Sequence, residues 1–131
     1  MSDAAKRNVR TLVVDRNSDF AAGFAFMLEG LGYEARFLLD STHTLTKVDE
    51  FRPHVAFVDI GMPSADGLNL AKVLRDHYAR HEVRLVALSL YGDERLRDAS
   101  STSGFDAHLV KPVSPHDVET ILDLVLDKRL R

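Results

Sequence analysis

Short apolar runs alternate along this chain with longer stretches in which apolar residues recur at helical spacing. Runs of this length, apolar on both faces, are typical of buried parallel strands. The predicted strands lie at residues 11–15, 34–38, 54–59, 83–89 and 106–111; the strand at 34–38 is weak, and the run at 54–59 is apolar on both faces. Strands that alternate with helices predict βαβ units joined by right-handed crossovers. We therefore expect a three-layer α/β domain with a parallel five-stranded sheet in the order 2-1-3-4-5.

Capping residues, glycine and proline set the predicted ends of the first two helices. The first helix is expected to begin with Asp19 or Ser18 as its N-cap and to stop at Gly32. The second helix is expected to begin with Ser41 as its cap. Pro53 keeps this second helix from continuing, because proline disfavours helical geometry in the residue before it.

The later helices are less regular in their sequence signals. The third follows the loop GMPSADG, where Asp66 is expected to cap the helix and Gly67 to relieve the turn. A fourth helix over DERLRDASSTSG should be short or frayed, because its serines and threonine compete for backbone hydrogen bonds. The last helix is predicted over about Pro115–Arg129. Residues 1–9 are expected to form a flexible tail, leaving a single domain over residues 10–131.

Composition narrows the class of protein. The chain has 131 residues, with 45% hydrophobic and 28% charged, as in ordinary globular domains. Its net charge of -3 gives no general attraction to nucleic acid or to an anionic membrane. The start lacks a signal peptide's apolar core, so we expect a cytoplasmic protein. Because there is no cysteine, disulfides, thiolate catalysis and cysteine-ligated zinc are excluded.

Four of the apolar runs end in a residue that can do chemistry. These residues are Asp15, Asp59, Ser89 and Lys111. The carboxyl ends of parallel strands line one edge of a sheet, and ligands bind in the crevice there. Two carboxylates, a hydroxyl and an ammonium at that edge suit a metal ion and a phosphoryl group.

The segments around these residues resemble the receiver domain of bacterial two-component response regulators. The resemblance rests on LVVDRN, FVDIGMPSADGL, ALS and HLVKP in this order, and it covers about Arg10 to Asp127. GFDAHLVKPV looks most like receivers that work beside hybrid sensor kinases. The resemblance implies a doubly wound (βα)5 fold of the flavodoxin-like kind.

The resemblance also implies a function in phosphorelay signalling. Asp59 would accept a phosphoryl group from a phosphohistidine on a sensor histidine kinase or a histidine phosphotransfer protein. Lys111 and Ser89 would bind the phosphoryl oxygens. Mg²⁺ would be held by Asp15, Asp59 and the backbone carbonyl of Gly61.

Ser89 and His108 would form the switch. In the family, a hydroxyl residue moves toward the phosphate and an aromatic residue three positions before the lysine packs in behind it. This movement would remodel the face formed by the predicted fourth helix, fifth strand and last helix, which would contact a downstream protein. A partly exposed strand histidine with no such role is an equally good interpretation of His108. Leu126 and Leu130 are spare apolar residues on the last helix that could serve a homodimer.

Two residues depart from the family pattern. Receivers usually carry two acidic residues after the first strand, but here Arg16 follows Asp15. A guanidinium cannot coordinate a cation, so Arg16 weakens the predicted Mg²⁺ site. Arg16 would either swing into solvent or pair with Asp59 in place of the metal's charge. Leu90 follows Ser89 where the family usually has a small residue, so it would gate access to the site and slow hydrolysis of a phosphoaspartate.

Three functional interpretations remain open on these residues. The first is a receiver, stand-alone or excised from a larger protein, that keeps the phosphoryl group on its own carboxylate and turns over no external substrate. The second is a degenerate pseudo-receiver that binds its partner without phosphorylation. The third, a carboxylate-based metal phosphatase, is weak because a second metal-binding carboxylate is missing after the first strand.

Overall fold

Five parallel strands form one sheet in the order β2-β1-β3-β4-β5, as predicted. The computed structural model describes residues 1–61, 66–90, 98 and 102–127. Within them the elements are α1 (Asp3–Lys6), β1 (Arg10–Val14), α2 (Ser18–Gly30), β2 (Glu34–Leu38), α3 (Thr44–Phe51), β3 (Val55–Asp59), α4 (Asp66–His77), β4 (Arg84–Leu90), β5 (Ala107–Lys111) and α5 (Pro115–Val125). The predicted strands are all present, with ends within a residue of those expected. No helix in this described part of the chain is long and apolar enough to cross a membrane.

The three inner strands are apolar because both faces of the sheet are covered. Val55, Ala56, Phe57 and Val58 of β3 are all fully buried. On one face Phe57 packs against Phe24 of α2, with ring centroids 4.9 Å apart, in a core shared with α5. On the other face Ala56 and Val58 pack with residues of α3 and α4. Helices on both faces give the three layers expected of a doubly wound sheet.

The N-terminal cap of α2 differs from the prediction. Asn17, not Asp19 or Ser18, is the N-cap, and its side chain accepts a hydrogen bond from the Phe20 N–H at 3.1 Å. The physical reason lies just upstream, where the Asp15 carboxylate accepts the Asn17 N–H at 2.9 Å and shapes the turn before the helix. The predicted stop is confirmed, because Gly32 has φ +106° directly after the C-cap.

The start of α3 was also predicted wrongly. The helix begins at Thr44, with His43 as an N-cap that makes no side-chain hydrogen bond, so Ser41 does not cap it. Instead, the Asp40 carboxylate accepts the Thr42 N–H at 3.0 Å, and this turn delays the helix. The helix ends at Phe51, before Pro53, as expected.

Gly67 is required for a reason stronger than the predicted relief of a turn. A Cβ at this position would lie 2.1 Å from the main-chain oxygen of Asp59. The first turn of α4 therefore packs directly onto the end of β3. Asp66 is the first residue of α4, but residues 62–65 are outside the described residues, so its capping role stays a prediction.

The last two predicted helices have different outcomes. Most of the fourth, residues 93–97 and 99–101, lies outside the described residues. The last helix, α5, begins with a capping box between Ser114 and Asp117 and ends at Val125, earlier than the predicted Arg129. Leu126, expected to be spare, packs against the core on the α2 side instead. Leu130 lies outside the described residues.

The N-terminal segment, predicted to be a loose tail, contains the short helix α1. Ser2 caps it, and Lys6 at its end lies 3.0 Å from the Glu119 carboxylate of α5. Tyr33 donates its hydroxyl to the same carboxylate at 3.3 Å. Burial, and then the negative charge of Glu119, raise the pKa of Tyr33. These contacts attach residues before β1 to the body of the domain.

Candidate functional site

A cavity of about 310 Å³ opens at the carboxyl ends of β1, β3, β4 and β5. Five of the predicted site residues line it: Asp15, Asp59, Gly61, Leu90 and Lys111. Arg16 and Asn17 are the other described residues that line it. The structure thus brings together side chains that the sequence places up to 96 residues apart.

Lys111 is the cation shared by both carboxylates. Its Nζ lies 2.5 Å from Asp15 Oδ2 and 3.5 Å from Asp59 Oδ2. The ammonium also lies 4.3 Å from the centre of the Phe20 ring, a favourable cation–π distance. Nothing in the sequence indicated that Phe20 lies at the site, because its helical spacing indicates only a core position. The lysine is therefore held at three points while its charge faces the cavity.

Asp59 ends β3 with one carboxylate oxygen occupied and one facing the lysine. Oδ1 accepts the Gly61 N–H at 2.8 Å, and Oδ2 is the oxygen nearest to Lys111. Burial raises the pKa of Asp59, and the negative charge of Asp15 adds to this effect. The Gly61 N–H and the Lys111 ammonium act in the opposite direction. The raised pKa shows that the negative charge of Asp59 is only partly compensated.

Asp15 is more fully satisfied than Asp59. Its side chain is 1% exposed, and its two oxygens bind the Asn17 N–H and the Lys111 ammonium separately. β1 ends at Val14, so Asp15 follows the strand in the predicted register. The register does not slip, and Arg16 is the residue that follows the buried carboxylate.

Arg16 adopts the first of its two predicted arrangements. It is exposed at the rim of the cavity, and within the described ranges it forms no ion pair with Asp59. The guanidinium adds a positive charge to a site that already holds Lys111. The side-chain oxygen of Asn17, which also lines the cavity, accepts the Phe20 N–H at the cap of α2.

Ser89 and His108 lie beside the cavity and contact each other. Ser89 is 1% exposed, and its Oγ lies 2.7 Å from His108 Nε2. Ser89 directly follows Leu88, the register partner of Asp59 across β3 and β4. His108 is half-buried on β5. The two residues predicted to form the switch are thus directly hydrogen-bonded, a contact that the sequence did not reveal.

The donor set is compatible with a magnesium site of low ligand count. Among the described residues no group of three or more histidine or acidic side chains could hold a metal ion. Mg²⁺ is commonly bound through one or two carboxylates while it keeps several waters. Asp15, Asp59 and the carbonyl of Gly61 satisfy that minimum, and bound Mg²⁺ would neutralise charge on a phosphoryl group.

Comparison with known families agrees with the fold. The family model of the response regulator receiver domain matches residues 11–123, most of the chain. The chain therefore belongs to the receiver domain family of two-component response regulators. The α/β architecture with strand order 2-1-3-4-5 is the receiver fold.

Two curated relatives illustrate the range of similar proteins. The DNA-binding response regulator MtrA of Mycobacterium tuberculosis is 31% identical over 109 residues, covering 83% of this chain and 46% of that protein. The chain thus spans about half the length of this relative. An uncharacterised 14.6 kDa protein of Leptolyngbya boryana is 32% identical over 104 residues, covering 79% of each.

Solved structures share the same fold. The CheY-like receiver domain of Methylobacillus flagellatus has a TM-score of 0.78 at 27% identity, covering 89% of this chain and 98% of that one. The CheY-like receiver domain protein of Methanospirillum hungatei has a TM-score of 0.81 at 24% identity, covering 93% and 96%. At 24% identity the second likeness concerns the fold alone.

Proposed function

We propose that this receiver accepts a phosphoryl group on Asp59 and works as a signalling switch. The observation that carries the proposal is the arrangement around Asp59 Oδ2. This oxygen faces an open cavity, lies 3.5 Å from the Lys111 ammonium and is not the oxygen bonded to Gly61. A carboxylate oxygen beside a fixed cation is suited to attack a phosphoryl group.

The proposed transfer forms one bond and breaks another. Asp59 Oδ2 attacks the phosphorus of a phosphohistidine, the P–N bond breaks, and the imidazole of the donor leaves with its electron pair. Lys111 stabilises the charge on the phosphoryl oxygens. Asp15, Asp59 and the Gly61 carbonyl would hold Mg²⁺. The donor is a sensor histidine kinase or a histidine phosphotransfer protein.

The product remains on the protein, so this proposal describes a switch and not an enzyme acting on an external substrate. Phosphorylation would draw Ser89 toward the phosphoryl group and change the surface around β5 and α5. A downstream protein would bind that surface. MtrA is named as a DNA-binding protein, but the similarity spans less than half of it. For this chain, with its net charge of -3, we propose protein partners and no nucleic acid.

Arg16 favours a second candidate, a pseudo-receiver that binds its partner without phosphate. Its guanidinium stands at the rim of the cavity, so the lining holds two cations, Arg16 and Lys111, beside the two carboxylates of Asp15 and Asp59. The added positive charge lowers the attraction of the site for a divalent cation. This candidate predicts that Asp59 stays unmodified with every donor.

Intact mass separates the two candidates. The protein is incubated with phosphoramidate, with and without MgCl₂, beside Asp59→Asn as the control. A Mg²⁺-dependent gain of one phosphoryl group, absent in the control, is the expected result. If the wild type gains nothing and Arg16→Asp gains one group, the protein is a pseudo-receiver disabled at its metal site.

Leu90 offers a test of lifetime once phosphorylation is established. Its side chain is 69% exposed and lines the cavity, so it stands where water must approach a phosphoryl group on Asp59. We expect Leu90→Ala to speed hydrolysis of the phosphoaspartate by about tenfold, a change of about 1.4 kcal/mol in the barrier. Loss of the added mass is followed over time, with Val73→Ala as an exposed apolar control on α4. An unchanged lifetime would show that Leu90 is no gate.

A further inference from the structure

The Ser89 hydroxyl has one hydrogen, and two acceptors compete for it: His108 and a phosphoryl group on Asp59. Ser89 Oγ lies 2.7 Å from His108 Nε2, and Ser89 is 1% exposed. A serine hydroxyl has one hydrogen to donate, although it can accept two. The proposed function requires that hydrogen for a phosphoryl oxygen on Asp59. The same hydrogen is the one that can bind His108 in the unmodified protein.

The direction of this hydrogen bond depends on the imidazole. If Nε2 carries no hydrogen, the serine hydroxyl donates to it and has nothing left for a phosphoryl group. If Nε2 carries a hydrogen, the imidazole donates and the serine hydrogen is free. In the unmodified protein the second arrangement would leave a buried hydroxyl without an acceptor among the described residues. A buried donor without an acceptor is unfavourable, so the first arrangement is favoured.

We propose that His108 is a positioning residue that holds the hydroxyl hydrogen of Ser89 until Asp59 is phosphorylated, and then reverses the bond. The proposal rests on the proposed function of Asp59. After phosphorylation, Ser89 donates to a phosphoryl oxygen and accepts from His108 Nε2–H. The imidazole changes tautomer by exchange with solvent: Nε2 gains a proton and Nδ1 releases one. The ring therefore carries no added charge.

This arrangement couples two events through the serine oxygen. A phosphoryl group on Asp59 favours the Nε2–H form of His108, and the Nε2–H form favours the phosphoryl group by the same factor, since binding free energies are reciprocal. His108 touches no phosphoryl oxygen in this scheme. It controls whether the hydroxyl hydrogen of Ser89 is available to bind a phosphoryl oxygen.

Nitrogen NMR of the histidine rings is the direct test. The full chain is labelled with ¹⁵N, and His108 is assigned by comparison with His108→Gln. Before phosphorylation Nε2 should have the signal of an acceptor nitrogen; after phosphoramidate and MgCl₂ it should have the signal of a protonated one. His81, exposed beyond α4 at the opposite end of β4, should not change. A protonated Nε2 before phosphorylation, or no change after it, would overturn the proposal.

Substitutions at His108 test the same coupling at equilibrium. Beryllofluoride with MgCl₂ serves as a phosphoryl mimic, and its affinity is measured by titration. His108→Phe removes the competing acceptor, so the mimic should bind about tenfold more tightly, the scale of one hydrogen bond. His108→Gln can both accept and donate, so it should restore wild-type affinity.

A double-mutant cycle separates the hydrogen bond from packing. In a Ser89→Ala background, His108→Phe should no longer change the affinity for beryllofluoride. A persistent effect would mean that the ring acts through packing and would overturn the proposal. If His108→Phe does not fold, the NMR comparison of the wild type still decides.

Intact mass distinguishes a failure of the function proposed for Asp59 from a failure of the positioning role proposed for His108. A wild type that gains no phosphoryl group contradicts the function proposed for Asp59. A wild type that gains one, while the His108 signal stays constant, contradicts only the positioning role.

Discussion

Both ends of the sheet hold acidic and basic side chains, but the number of partners that these side chains bind differs between the two ends. At the N-terminal end of β4, Arg75 donates to Gly104 O at 2.9 Å, to Val83 O at 2.6 Å and to Asp106 Oδ2 at 2.6 Å. Asp106 in turn accepts from Arg80 and from the Leu85 N–H. Arg75 and Asp106 each have three hydrogen-bonding partners in this cluster. We call it the Arg75 cluster.

At the carboxyl end, two carboxylates share one lysine around an open cavity. Burial raises the pKa of Asp59 there, and Arg16 stands at the rim without an ion pair to it in the described part of the chain. Charged side chains with a full set of partners stabilise the fold at one end of the sheet. At the other end the charges are only partly compensated, so these side chains can react. Four predictions test this contrast.

The largest effect on stability is expected in the Arg75 cluster. Arg75→Met keeps the apolar stem but leaves Asp106 and two carbonyl groups short of a donor, so unfolding should be easier by about 3 kcal/mol. Urea unfolding measures the change. Arg80→Met is the matched control, because the Arg80 side chain is 58% exposed and its ion pair should contribute at most about 0.5 kcal/mol. Equal losses of stability in the two variants would contradict the inference that the buried contacts of Arg75 stabilise this end of the sheet.

At the open end, the corresponding substitution should affect chemistry more than folding. Lys111→Met removes the cation beside Asp59 Oδ2, so the rate of phosphorylation by phosphoramidate should fall about a hundredfold, or about 2.7 kcal/mol. Intact mass over time gives the rate. Arg75→Met, assayed where it remains folded, should phosphorylate at the wild-type rate. A similar loss in both variants would erase the distinction between the two ends.

Asp59 should weaken the fold when it is ionised. Because its pKa is raised, the folded state binds the Asp59 proton more tightly than the unfolded state does, and stability falls as pH rises above about 3.9, the ordinary value for aspartate. Asp59→Asn should therefore be more stable than wild type by about 1 kcal/mol at pH 7. The gain should shrink as pH is lowered toward that value. Asp19→Asn, at an exposed position, should give no such gain.

A smaller, opposite dependence is expected at the N-terminal end. His54 accepts the Arg10 N–H on Nδ1 at 3.0 Å, and burial, followed by the charge of Arg10, lowers the pKa of His54. The unfolded state therefore binds the His54 proton more tightly, and stability is lost as pH falls through about 6.5. His54→Asn keeps an acceptor for Arg10 but does not titrate. The free energy of unfolding, measured with urea across this pH range, should therefore lose a pH-dependent part of about 0.5 kcal/mol. An unchanged pH profile would contradict the assignment to His54.

Sequence reasoning predicted the fold because strand period and burial are encoded locally. The apolar run Val55–Val58 is fully buried as expected, and Asp15, Asp59 and Lys111 line the cavity at the predicted edge. It also predicted the composition of the site, since the ends of parallel strands must meet. Gly32 and Pro53 marked their boundaries correctly because glycine readily adopts the positive φ that follows α2, whereas proline disfavours helical geometry in the residue before it.

The errors concern contacts that a one-dimensional pattern does not contain. Asn17 caps α2 because Asp15 holds its N–H, a competition that capping preferences alone do not resolve. The bond between Ser89 and His108 joins two strands and depends on side-chain orientation. Arg75 looked like an ordinary helix residue, and its partner Asp106 is 31 positions away. Neither pairing has a local signal.

Gly67 has a consequence for heritable variation in this domain. It carries no side chain that could bind a phosphoryl group, yet any side chain there would collide with the main chain of Asp59. A library of single substitutions should therefore find position 67 nearly as intolerant as position 59 when cells are selected for signalling. A geneticist who knew only that result would count Gly67 among the reactive residues. Its actual contribution is the space it leaves empty.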